Sequence, residues 1–211
     1  MSSPHFSLQA AVNQFELKYI GSDLVFPTVL PLLPPNAESA MSLLTQQLDR
    51  DADIARRNPT DQAKSAFVIA PMLATLRQIH QVGIHTGVQF EIADPHDQFS
   101  RENCCDFIVT LSDELEIIEA PVLIVVQAKQ SVMSESVGRC VAKMVTAQTF
   151  NQQSGLPPLP VFGCVTNGFC WRFLQLSGDI VRGDAAIEYR LRPTTVLMQR
   201  LYYTINAGIA L

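Results

Sequence analysis

The sequence predicts a mixed α/β (α+β) fold, a β-sheet flanked by helices with a helical elaboration on its N-terminal side, and three observations predict it. Two apolar runs, Cys105-Asp-Phe-Ile-Val-Thr-Leu and Pro121-Val-Leu-Ile-Val-Val-Gln-Ala-Lys129, are separated by a stretch from Ser112 to Ala120, the pattern of an antiparallel hairpin. Asn167-Gly168 joins Val161-Phe-Gly-Cys-Val-Thr to Phe169-Cys-Trp-Arg-Phe-Leu-Gln-Leu176, and Asn-Gly between apolar runs is the strongest short hairpin signal. Between the hairpins, Val137, Cys140, Val141, Met144 and Gln148 recur at helical spacing. The connection from Lys129 to Val161 is long enough for a helical crossover, which permits parallel pairing inside the sheet.

Each element has its own signal. Ser7 to Leu17 reads as a short helix, and Ile20 to Pro35 as a Pro-rich apolar connection without regular structure. Met41, Leu43, Leu44, Leu48 and Ile54 set a helix over Glu38 to Arg57, which Asn58-Pro59 closes. Thr60 is placed to cap a helix from Asp61 to about Gln81, with Pro71 expected to kink it. Val88, Phe90 and Ile92 alternate, so a strand is predicted over Gly87 to Ala93. Ser134 is placed to cap the stripe helix, which runs to about Gln153. A last helix, Thr194 to Ala207, offers Val196, Leu197, Leu201 and Ile205 for packing and leaves Arg192 and Arg200 near the surface. Residues 1–58 are the expected helical elaboration and 59–211 the sheet domain, together one compact unit.

Composition narrows the class. The 211 residues are 47% hydrophobic, enough to bury a substantial core. No run approaches the length of a membrane span, and no basic-then-apolar leader opens the chain, so a soluble, cytoplasmic protein without a membrane partner is expected. Cys104, Cys105, Cys140, Cys164 and Cys170 include no CxxC pair and read as reduced core thiols. A net charge of −5 gives no general attraction to polyphosphate, leaving a local basic surface as the only electrostatic route to nucleic acid.

The chemistry concentrates at one end of the first hairpin. Antiparallel pairing brings Asp106, at the head of one strand, beside Lys129, at the tail of the next, and alternation sets residues 127 and 129 on one face. A carboxylate, a lysine and an amide at the end of an apolar sheet suit metal-assisted phosphodiester hydrolysis. The same residues also suit an ordinary hairpin whose polar groups mark where burial stops.

Four pieces, Cys105-Asp106-Phe-Ile-Val, Val126-Gln-Ala-Lys129, Ala147-Gln148-Thr-Phe-Asn151 and Gly163-Cys-Val-Thr-Asn-Gly168-Phe-Cys-Trp171-Arg-Phe, together resemble a PD-(D/E)XK nuclease-like domain over roughly residues 60–176. The likeness is to small bacterial, particularly cyanobacterial, members related to the N-terminal nuclease domains of type I restriction enzyme R subunits. It implies a restriction-endonuclease-like sheet, DNA as partner, and Mg2+ or Mn2+ as cofactor. Asp106 then matches the first metal-binding carboxylate, Gln127 the position usually held by Asp or Glu, and Lys129 the lysine that orients water or offsets charge. The resemblance further implies the Ala128 carbonyl as a metal ligand and Gln148 as a polar group near the site.

Two positions depart from that pattern. Ala66 stands where many relatives carry a helix glutamate, and Gln127 offers a neutral amide. Glu91 is a substitute acid or an exposed strand-end residue. His80 and His85 read as surface or satisfied core histidines without a metal role. Trp171, alternating with Phe169 and Phe173, reads as core. Arg182, Arg190, Arg192 and Arg200 are interspersed with Asp179, Asp184 and Glu188 and read as a solvated face. Two functions remain open: a Mg-dependent DNA endonuclease, or a degenerate nuclease fold that binds nucleic acid or protein, with homodimer formation open in either case.

Overall fold

Ser7 accepts the Ala10 amide at 3.2 Å and so caps α1 (Leu8–Gln14). The computed structural model describes residues 6–21, 25–89, 104–129, 133–183 and 188–209. After α1 come β1 (Lys18–Ile20), α2 (Ala37–Arg57), α3 (Asp61–Lys64), a π-helical turn (Ser65–Ile69) and α4 (Ala70–His80). There follow β2 (Gly83–Gln89), β3 (Cys104–Thr110), β4 (Val122–Ala128), α5 (Met133–Gln153), β5 (Val161–Thr166), β6 (Cys170–Ser177), β7 (Ile180–Gly183), β8 (Tyr189–Arg190) and α6 (Thr194–Ile209).

The strands form one eight-stranded mixed sheet in the order β1-β7-β6-β5-β4-β3-β2, with β8 also pairing β6. This is the predicted α/β class. The pairs β4–β5 and β1–β7 are parallel, and the remaining pairs are antiparallel. The β4–β5 pairing follows from the α5 crossover, since parallel neighbours need a long connection. β4 and β5 are buried at every residue, as expected of central strands covered on both faces.

Two cores sit on the two faces of the sheet. One gathers α2, the π-turn, α4 and α6 with Phe26, Phe162, Trp171 and Phe173; the other gathers α1 and α5 with Ile108, Val125, Val165 and Leu174. Trp171 is fully buried and donates Nε1–H to the Gly168 carbonyl at 3.0 Å, which is the core role expected of it. Cys105, Cys140 and Cys164 are buried cysteines outside any disulfide, and Cys170 is a half-buried one. Burial pushes the Cys140 thiol up to about 12, so it stays protonated.

Several expectations change. The strand predicted over 87–93 starts earlier: β2 pairs with β3 from Gly83↔Thr110 through Gln89↔Cys104, and the rest of the predicted strand, with Glu91, lies outside the described residues. The Gly-Ile-His-Thr-Gly segment carries weak strand propensity, so its pairing comes from β3. Helix 61–80 accommodates Pro71 through a wider turn, in which the Ala70 amide donates to Ser65 five residues back. Val196 is 37% exposed, while Arg200, expected at the surface, lays its guanidinium over Tyr189 at 3.9 Å from the ring centroid. The start of α5 borders undescribed residues, so the cap expected at Ser134 is outside the description. No helix among the described residues is long and apolar enough to cross a membrane.

Candidate active site

The β3–β4 register runs Phe107↔Val126 and Ile108↔Val125, and continuing it by one residue sets Asp106 opposite Gln127. Both expected residues therefore meet at the end of the sheet where β4 and β5 finish. The Gln127 amide Nε2 donates to Asp106 Oδ2, and the Ala128 backbone N–H donates to the same oxygen at 2.8 Å. On its other side the Gln127 carbonyl oxygen accepts from the Lys143 ammonium. Gln127 and Lys143 are only 2% and 4% exposed, so both contacts sit in a low-dielectric interior where such bonds hold firmly.

Burial is the largest influence on Asp106 and raises its carboxyl above the ordinary range. The Ala128 amide, Lys143 and Lys129 act in the opposite sense, and the charge of Asp61 adds to the rise. Lys129 is half-buried at the tail of β4, its own amide bonded to the Thr166 carbonyl at 2.9 Å. The acid and the lysine that the hairpin was expected to bring together are thus electrostatic neighbours.

Asp61 was not foreseen. Thr60 caps α3 by accepting the Ala63 amide at 3.1 Å, which sets Asp61 in the first helical turn. The α3–π segment packs on the β5–β6 turn: Gly168 has φ +85°, and a Cβ there would lie 3.4 Å from Val68 Cβ and 3.6 Å from Lys64 Cβ. That docking carries Asp61 within electrostatic reach of Asp106 and leaves its Oδ1 buried with no hydrogen-bond partner. A buried carboxylate oxygen without a partner, in the field of a second, half-buried carboxylate, is a costly arrangement unless a cation or donor completes it.

Other expected residues lie elsewhere. Gln148 donates to the Gly178 carbonyl at 3.1 Å in the β6–β7 turn. It sits toward the opposite end of the sheet because α5 runs back along β4, and Asn151, three residues on, binds the Val122 backbone at the start of that strand. Ala66 is exposed and borders a groove with Ala40, Leu43 and Gln47 of α2, so an acid at that position would face α2. His80 meets Asn206 at 3.2 Å, and His85 is a buried β2 residue; neither lies among the groups acting on Asp106. Among the described residues no cluster of three or more His, Cys, Asp or Glu side chains forms.

Of the two missed residues, one carried a signal. Lys143 falls on the apolar stripe of α5, one residue before Met144, and a lysine there must either leave the core or find an acceptor inside it. Asp61 follows its cap so directly that helix-start preference alone accounts for it in sequence. Comparison with family models, with curated proteins and with solved structures finds no match.

Proposed function

We propose that this chain is a metal-dependent nuclease-like protein that hydrolyses DNA phosphodiester bonds at the Asp106 end of the sheet. The observation that carries the reading is Asp61: it supplies the second carboxylate that residues 66 and 127 lack, with one buried oxygen unbonded. Hard oxygen donors from one or two carboxylates are what Mg2+ takes, and Mn2+ accepts the same set. The residues present fit such an ion, held by Asp106 and Asp61 with the Ala128 carbonyl as the third expected oxygen. Bound there, the ion supplies Lewis-acid polarisation of a phosphate oxygen and a bound water of lowered pKa.

The chain's own residues divide the remaining work. Gln127 and the Ala128 amide aim the Asp106 carboxylate by binding its Oδ2. Gln127 serves as a donor to Asp106 instead of a metal ligand, since Lys143 already occupies its oxygen. The Lys129 ammonium, next to Asp106, offers positive charge to the phosphoryl oxygens as negative charge develops.

One observation favours the second reading, a degenerate fold that binds nucleic acid or protein without hydrolysis. Both ends of the Gln127 amide are used internally, so that position gives nothing to a ligand. Thermal unfolding with Mn2+ or Mg2+, paired with plasmid nicking, separates the two. At a hundredfold excess over Kd, a bound ion stabilises the fold by about 2.7 kcal/mol, a rise in Tm of roughly 5–10 °C for a chain of this size. The nuclease reading expects Asp106→Ala and Asp61→Asn to abolish both the rise and the nicking, and Lys129→Ala to abolish nicking while keeping the rise. A wild-type chain with neither response selects the binding module.

A further inference from the structure

A groove of about 560 Å³ lies between the C-terminal half of α2 and the β5–β6 turn with β8. Phe169, half-buried, forms part of its wall, and the exposed Arg56 lays its guanidinium over that ring at 5.2 Å from the centroid. Arg190, also exposed, borders the same space. Asp49 and Asp53 line it too, but each is neutralised: Arg192 binds Asp49, and Arg57 binds Asp53 at 2.6 Å. Arg56 and Arg190 make no ion pair among the described residues. The groove therefore presents a planar cation backed by an aromatic ring and a second uncompensated cation.

Those are the groups that recognise an unstacked base and its phosphate. A guanidinium beside an aromatic ring gives a base both stacking and cation–π contacts, and a nearby arginine binds phosphate without reading sequence. A space of this size takes a drug-sized ligand, so it suits one or two nucleotides and excludes a duplex. The chain ties it to the Asp106 end of the sheet: Asp61 follows α2 by a short link, and Gly168, the residue before Phe169, packs on Lys64 and Val68 of the segment that carries Asp61.

We propose that this groove seats a single-stranded nucleic-acid segment flanking the phosphate at the Asp106 cleft, with a base against Arg56 and Phe169 and a phosphate on Arg190. The proposal rests on the nuclease reading for the course of the strand, yet the binding it describes needs no metal. Its test can therefore fail independently.

Fluorescence anisotropy in EDTA measures it, with labelled oligothymidylate and oligoadenylate 12-mers, a duplex of equal length, and deoxyadenosine monophosphate as competitor. The full chain is expected to bind the single strands more tightly than the duplex. Arg190→Glu and Arg56→Ala should each weaken single-strand binding about fivefold or more, and Arg190→Glu should also lower the salt slope by about 0.7 for its lost phosphate contact. Phe169→Leu should act in the same direction, and Lys18→Gln, whose lysine pairs with Asp179 at 2.8 Å in the β6–β7 turn, should change nothing. Circular dichroism confirms that each variant folds; Arg190, being exposed, keeps the test decisive if Phe169→Leu does not. Tighter duplex binding, groove variants that bind as the wild type does, or full competition by the mononucleotide at equal concentration would each overturn the proposal. Intact single-strand binding without metal-dependent cleavage would instead count against hydrolysis alone.

Discussion

Asp106 receives two hydrogen bonds on one oxygen, has two lysines near it, and still has its carboxyl raised, because burial outweighs them. The sign of the consequence is definite. A carboxyl whose folded pKa lies above its unfolded value favours folding when protonated, so its contribution is complete below the ordinary value of 3.8 and is lost as pH rises through the raised one. Asp106→Asn keeps an acceptor for the Ala128 amide and removes the charge. Without metal, the variant should be more stable than the wild type at neutral pH, and the difference should shrink toward pH 3 in a series of Tm measurements. A gap that widened in acid would mean that hydrogen bonding to the charged form dominates. The meeting of Asp106 and Gln127 was legible from strand alternation alone. The nearness of Asp61 was not, since it depends on how the α3–π segment docks on the β5–β6 turn, a tertiary contact with no local signature.

At the level of elements, α5 and β4 are joined end to end by polar bonds. Lys143 reaches Gln127 at the tail of the strand, and Asn151 grips Val122 at its head, accepting its amide at 2.7 Å and donating to its carbonyl at 2.9 Å. Asn151 is 2% exposed, so losing it strands a donor and an acceptor in the interior. Asn151→Ala should cost about 2–6 kcal/mol, counting roughly 1–3 for each of the two unsatisfied groups, and lower Tm by several degrees or more. The same geometry explains the misreading of Gln148. Cys140, Met144, Ala147 and Asn151 continue the buried face, and residue 148 turns toward β6–β7. Long elements with clear periodicity, α2, α5, β4 and β5, were legible. The short strands β1, β7 and β8 were not, because two to four residues carry no period and owe their conformation to the partner strand.

For the molecule as a whole, residues expected as a helical elaboration of one compact unit contribute to both the sheet and its cover: β1 pairs with β7, and α1 lies on α5 where Gly138 allows it. A Cβ on Gly138 would come within 2.3 Å of the Phe6 carbonyl oxygen, so that approach requires glycine. At the other edge of the sheet, β2 holds His85 at 8% exposure with its Nε2 buried and unbonded. Burial lowers its pKa from 6.5, Glu114 opposes that shift, and Arg77 adds a smaller push in the same direction as burial. A histidine whose folded pKa is depressed stabilises the fold above its unfolded value, and that stability is lost as pH falls from 6.5 through the depressed value. Asp106 acts with the opposite sign, its contribution being lost as pH rises above 3.8 through the raised value. The wild type should therefore lose Tm from this site as pH falls from about 6.5, and His85→Gln, which removes the titrating ring, should flatten that limb. Should His85→Gln fall as steeply as the wild type below that pH, the proton responsible binds elsewhere, and β2 is not where acid first opens the sheet.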